Sequence, residues 1–590
     1  MGNLFAEFKL VKDLTFKTSA SYTYTGKFNK NNRDSFDLGA AVQDYQEVSR
    51  NFGYGSNILI ENTLNYDLSI GKSTIKTTLG QSFQEYESDN LNVSSFYQDN
   101  GHYIVSAYGA ELPQITNNVQ DYAMSSYFGR LFFDWDQRFL VTANLRADGS
   151  SRFGENNRWG VFPSASAAWR VSQEEFFPQE GIISSLKLRG GWGQVGNNEI
   201  GNYPYSAAMI SGSNYPFGDT SGAITIGVAA KSIPNADVKW ETVTQYSFGF
   251  DAYLFDNKLS LVAEYFNKNH SDMLVPVQQS GVTGISSDYT PGEMIQNIAE
   301  LSNSGIELSL NYSNNIGKWN YSIGGNITTF NNEVKNVGGK GYYETFPFFG
   351  SYIIRTQEGH ELGEFYGYVN DGIFQVGEAE KYTSTAEDGT VNRIQPNAEA
   401  GDLRFKDLNN DGKIDDQDRD FIGSPVPDFT YALNAEVSYG NLSLSLAFNG
   451  VYGVDIANLT KRTMIDPTSG GNKMNYTPWS TQNPTSQYFR AHPNDPNKNI
   501  RFSDYFVEDG SFLRCSLIQL GYEMPKSFTN ALHLSRCRIY GSVKNPFVLT
   551  NYSGVDPEVG AGNGSNLESG IDRFLYPSSR TFTIGVNISL

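Results

Sequence analysis

Six residues with cation-ligand spacing stand out in the sequence: Asp407, Asn409, Asp411, Lys413, Asp415 and Asp418, within DLNNDGKIDDQD. Side-chain oxygens fall at positions 1, 3 and 5 of this run, and Gly412 at position 6 permits a sharp turn. The Lys413 carbonyl takes position 7, Asp415 acts through water, and Asp418 closes position 12. This is the spacing of an EF-hand-type calcium loop, and hard oxygen donors suit a structural Ca²⁺ ion. Asp418 stands where the longer arm of glutamate gives bidentate closure, which implies weaker binding. The flanking residues carry no pair of helix patterns, and the same residues equally suit an Asx-Gly turn cluster with no ion.

No other set of residues ranks as a reactive centre. The five histidines (His102, His270, His360, His492 and His533) show no paired spacing, so metal-centred hydrolysis has no support. Gly191-Trp-Gly193-Gln-Val-Gly196 reads G-x-G-x-x-G, but the residues after it are loop-like, and a dinucleotide site needs strand, glycines and helix together. No serine, aspartate or glutamate is singled out as a nucleophile or acid–base pair. The aromatic run from Tyr342 to Phe349 offers faces for sugar rings, yet loop-core packing or a membrane girdle suits it better. The expectation is a protein that is not an enzyme and has no cofactor for chemistry.

The elements that position the acidic loop are strands. After it come alternating segments 427–438 and 441–453, meeting at Gly440-Asn441. Leu442, Leu444, Leu446, Phe448 and Tyr452 share one face of the second; Asn441, Ser443, Ser445, Ala447 and Asn449 share the other. Such a strand separates two solvents. Similar segments recur at 2–10, 14–25, 56–69, 73–86, 122–134, 138–149, 158–171, 184–196, 240–254, 258–270, 303–313, 319–331, 511–523, 536–549 and 580–590. Their length fits the ~9–11 residues with which a tilted strand spans a bilayer. Short turns such as Lys12-Asp13, Gly71-Lys72 and Asn314–Gly317 alternate with long loops at 26–55, 87–121, 197–239, 271–302, 332–426, 454–510 and 550–579. Sorting of loops by length onto two sides is the habit of outer-membrane barrels, with long loops outside. The fold class expected is therefore all-β, a transmembrane antiparallel β-barrel in the outer membrane.

Composition agrees. The 590 residues include 36 Tyr and 39 Phe, and charged residues make up 18% against a usual ~25%. No run of eighteen apolar residues suggests a membrane helix, which leaves a barrel open. A net charge of −20 disfavours nucleic acid as a partner, since no basic stripe exists to neutralise phosphates. Cys515 and Cys537 fall on neighbouring strands, either as a disulfide or as two small wall residues.

The stretch GDLRFKDLNNDGKIDDQDRDFIGSPVPDFTY (401–431) resembles a hallmark of the SusC/RagA family of TonB-dependent outer-membrane transporters. DGSSRFGENNRWGVFPSASAAWRVSQEEFF (148–177), LKLRGGWGQVGNN (186–198), FYGYVNDGIFQ (365–375), YFVEDGSFLR (505–514) and NPFVLTNYSGVDPEV (545–559) are similar to it in the same order. The resemblance implies a 22-stranded barrel in a Gram-negative outer membrane, of which the segments above supply about 17. It implies a SusD-like surface lipoprotein as partner, glycan or peptide cargo, and energy from the TonB complex. Residues 2–10 already alternate, and no plug, TonB box or signal peptide is recognised, so a C-terminal barrel portion is expected. No substrate residues can be named from it. The competing readings are a passive pore or adhesin barrel and, from another class, an outer-membrane enzyme, which would need a reactive constellation in the lumen.

Overall fold

The computed structural model describes residues 1–590 except 38, 40, 41, 98–112, 179, 207, 208, 212–214, 217–223, 226, 231, 232, 279–285, 288, 289, 292, 340, 349, 470–472 and 561–564. His102 and Phe349 lie outside the described residues. Eighteen strands belong to one large antiparallel sheet. They match the seventeen alternating segments one for one, save that the twelfth is interrupted at Phe330 into Trp319–Thr329 and Asn331–Asn336. The chain divides into two compact units. The first comprises Met1–Glu175, Leu188–Ser247 and Lys268–Glu300, the second Phe176–Lys187, Phe248–Asn267 and Leu301–Leu590.

In the first unit, Gly2–Val11, Leu14–Arg33, Gln46–Ile70, Ser73–Tyr97, Gln114–Trp135, Phe139–Ser150 and Trp159–Arg170 each pair with the next in chain order. The expected tight turns are present, with Asp13 at φ 66° and Gly71 at φ 56°. The loops expected at 26–55 and 87–121 are corrected, because the ladder continues through much of both. Gln46–Ile70 and Ser73–Tyr97 are 25 residues each, against ~9–11 for a bilayer span. Beyond the membrane both faces are wet, so the hydrophobic alternation fades while the backbone pairing does not. Gly196 is a strand glycine in Ile183–Asn197, and a Cβ there would collide with the Phe162 ring.

In the second unit, Trp319–Thr329, Phe429–Tyr439, Leu442–Tyr452, Phe512–Glu523, Arg536–Thr550 and Thr581–Ser589 form a consecutive antiparallel ladder. The ladder before it runs to Ile316 opposite Trp319, so the turn expected at Asn314–Gly317 is Gly317-Lys318. Register sorts the faces. Leu444 lies opposite Val437 and Leu520, and Leu446 opposite Ala435 and Ile518; Ser445 lies opposite Glu436 and Gln519. Phe582, Ile584, Val586 and Ile588 are all exposed. An apolar row beside a polar row is the lipid and lumen alternation of a barrel wall. Aromatic rings gather near the tight turns: Trp135, Phe139 and Trp169 stack in the first unit, and Trp319 meets Tyr439 at 4.7 Å in the second. Such belts mark membrane–water boundaries. Cys515 and Cys537 are free. Register explains it, since Cys515 faces Phe547 while Cys537 faces Ile588.

Gly440 turns the hairpin at φ 57°, where a Cβ crowds the following carbonyl. Gly440→Val is expected to cost roughly 1–2 kcal/mol, read as a lower melting midpoint. Asn441→Ala beside it should change far less.

The long connections 337–428, 453–511 and 551–580 are not separate loops. Their buried side chains join into clusters, one around Phe346, Ile353, Ile354, Phe365, Leu459 and Phe502, another around Leu403, Phe405, Ile465, Phe489 and Phe506. A four-stranded sheet of Tyr342–Phe348, Ser351–Gln357, Glu364–Tyr368 and Arg419–Gly423 runs through them. The helix Leu459–Ile465 is capped by the Asn458 side chain, which accepts from the Lys461 N–H at 2.8 Å. At ~1.5–3 kcal/mol per buried large apolar side chain, the described segments that supply these clusters are held in a fixed arrangement.

Candidate functional site

The acidic loop lies within this outer module. Asp407 accepts hydrogen bonds from the N–H groups of Asp411 (3.2 Å) and Gly412 (2.8 Å), and Asn409 accepts from Asp411 N–H at 3.0 Å. Asp411 accepts from Lys413 N–H at 3.2 Å, and Asp415 from Gln417 N–H at 2.9 Å. Asp418 is fully buried and takes the N–H groups of Leu408 and Asp415. Every side-chain oxygen donor expected for calcium therefore serves as a local turn or cap acceptor. The Lys413 ammonium pairs with Asp415 and lies 3.3 Å from Asp411, where it supplies the positive charge itself. Among the described residues, no group of three or more His, Cys, Asp or Glu side chains converges as a metal cage. The donor types suit a hard cation, and the same oxygens serve the turn.

Beneath the loop runs a buried polar network. Asp402, fully buried, accepts from Arg490 Nε at 2.7 Å and Nη2 at 3.0 Å, and from Asn499 Nδ2 at 2.9 Å. Asn499 Oδ1 accepts from the Leu403 N–H and from Asn497 Nδ2, both at 2.8 Å. Gln395 donates to the Leu403 carbonyl and to Asn497, and accepts from the Phe405 N–H. Asp495 takes the N–H groups of Asn499 and Ile500. Segments 395–405 and 490–501 are thus locked together, and the turn 495–501 is rigid.

That turn, the acidic loop and the four-stranded sheet enclose a cleft of about 550 Å³. Asp415 and Asp416 line one wall, so part of the loop singled out by its spacing does border a cavity. Arg419, Lys498 and Arg501 contribute cations, and Tyr368, Phe348 and Phe502 contribute rings. Burial pushes the Tyr368 phenol up to about 12, and its hydroxyl donates to Asp416 at 3.1 Å. Sequence reasoning missed this grouping. Arg419 is adjacent to the acidic run, but Lys498 and Arg501 come from another connection, with no local pattern to pair them.

The remaining candidates separate. His360 stacks on Phe421 at 3.8 Å and meets Glu364 at 2.9 Å, while His270 lies 3.6 Å from Glu241. Phe346 is core and Tyr342 sits under Arg355, so these two members of the aromatic run pack the module.

A long antiparallel ladder with apolar and polar rows, tight turns ringed by aromatics and long folded connections defines an outer-membrane β-barrel. Residues 3–459 match the family described as TonB dependent receptor-like, beta-barrel. The chain belongs to that family, and is of SusC/RagA type. TonB-dependent receptor P3 of Formosa agariphila is 30% identical over 604 residues, covering 100% of this chain and 57% of that protein. TonB-dependent receptor SusC of Bacteroides thetaiotaomicron is 27% identical over 562 residues, covering 92% of this chain and 50% of its own length. The RagAB peptide transporter structure superposes with a TM-score of 0.80 at 22% identity, covering 99% of this chain and 61% of that one. The chain thus spans about half the length of the curated relatives it matches. Barrels of this family lie in the outer membrane of Gram-negative bacteria, and the family is one of receptors and transporters rather than enzymes.

Proposed function

We propose that this chain forms the membrane-spanning wall and outer loops of a nutrient importer for oligosaccharides or peptides. Import is energised by the TonB complex, and a SusD-like lipoprotein at the surface delivers cargo to the outer module. The observation that carries this reading is the match to a SusC relative along 92% of the chain, joined to a rigid outer module whose core is independent of the large sheet. A rigid surface is what a delivering partner needs to dock on at low entropic cost. The test is uptake of labelled oligosaccharides and peptides by cells carrying the whole protein. Uptake should vanish on deleting either its gene or tonB. Uptake that persists without TonB would instead make it a passive pore. Affinity capture of the intact protein from outer membranes should bring down a lipoprotein encoded beside it.

We further propose that calcium enters the 407–418 loop only in competition with the Lys413 ammonium. The wild-type protein is expected to show a small calcium-dependent rise in melting temperature. Lys413→Gln should enlarge that rise, because two carboxylates lose their cation, and Asp411→Ala should abolish it. Equal shifts in all three proteins would count against the loop as a calcium site.

A further inference from the structure

We propose that the cleft between Tyr368, Arg419, Lys498 and Arg501 is a binding site for a ligand bearing an oxyanion, a carboxylate or sulfate ester, next to a ring or apolar face. The inference rests on the importer reading and narrows its cargo.

The first ground is cations without an ion pair at contact distance. Arg419 donates through Nη2 to the Tyr366 carbonyl at 2.9 Å and to the Tyr352 carbonyl. Arg501 donates to the carbonyls of Lys498 at 3.1 Å and Asn497 at 2.8 Å. Carbonyls satisfy N–H groups without supplying a counter-charge in contact. Among the described residues, neither guanidinium nor the Lys498 ammonium has a carboxylate within 4.0 Å. Of the acids close by, Asp415 is paired with Lys413, while Asp416 and Asp495 are held by neutral donors and offset part of the Arg501 charge from beyond contact distance. In a chain of net charge −20, three such cations lining one cavity run against the trend.

The second ground is preparation. The Arg501 guanidinium lies 4.9 Å from the Tyr368 ring and 4.7 Å from the Phe405 ring. Burial works against its charged form, so its basicity is lowered, and an arriving anion would offset that cost. The turn carrying Lys498 and Arg501 is held by the Asp402, Asn497 and Asn499 network, so little order remains to be imposed on binding. A planar guanidinium presents paired donors that match carboxylate and sulfate oxygens. Phe502 and Tyr368 supply the apolar edge against which a sugar ring or side chain can rest.

The test is calorimetry on the whole purified protein with cellobiouronate, cellobiose 6-sulfate, cellobiose, an acidic tripeptide and its neutral amide. At least one anionic probe should bind about tenfold or more tightly than its neutral counterpart, with affinity falling as salt rises. Lys498→Gln, on an exposed turn, and Arg419→Gln should each remove most of that preference, bringing the anionic probe down toward the affinity of its neutral counterpart. Binding of the saccharide anions alone, or of the peptide alone, identifies the source of the oxyanion. Equal binding of anionic and neutral probes, no binding of any probe, or anion binding unaffected by both substitutions would overturn the proposal. TonB-dependent uptake is measured separately. Anion binding without uptake would sink only the importer reading, whereas uptake with no anion preference would sink only the cleft.

Discussion

Replacing Asp402 by alanine is expected to cost roughly 3–5 kcal/mol of the stability of the outer module. Asp402 is fully buried and meets Arg490 through two nitrogens, at 2.7 and 3.0 Å. Removing it leaves Arg490 only the exposed Glu399 as a carboxylate partner and frees Asn499, which positions Leu403. The loss is local, because the barrel ladder does not run through this network. Hydrogen exchange should therefore accelerate in 395–405 and 490–501 while the strands Leu442–Tyr452 and Arg536–Thr550 stay protected. Asp402→Asn, which keeps shape and some hydrogen bonds, should cost less. A module that keeps native protection after Asp402→Ala would show that apolar packing around Phe405 and Phe489 suffices by itself.

Leu446→Arg is expected to destabilise the barrel wall by about 2–4 kcal/mol, and Ser445→Arg by much less. Leu446 is central in Leu442–Tyr452, in the apolar row with Ala435 and Ile518, so its replacement puts a guanidinium near the middle of the hydrocarbon. Ser445 points to the other side, opposite Glu436, where an arginine has water and a carboxylate to meet. Folding into vesicles followed by urea unfolding reads both. Equal costs, or the larger cost at Ser445, would reverse the assignment of faces.

The strands, their pairing order and their two faces were legible in the amino-acid sequence, because each is dictated locally. A β-strand exposes alternate residues to two solvents, so Phe582, Ile584, Val586 and Ile588 against Thr583, Gly585 and Asn587 are enough to define the wall. Turn residues such as Asp13, Gly71 and Gly440 set the hairpins by backbone conformation alone. Three features were decided only by tertiary structure. The ladders of Gln46–Ile70 and Ser73–Tyr97 extend into water, where no hydropathy contrast records them. Cys515 and Cys537 stay apart because register, invisible in one strand, sets them against Phe547 and Ile588. The outer module and its cleft bring Tyr368 and Arg419 together with Lys498 and Arg501 through irregular chain. There burial of Phe365, Phe405, Phe489 and Phe506 follows no period, and only long-range packing brings these residues together.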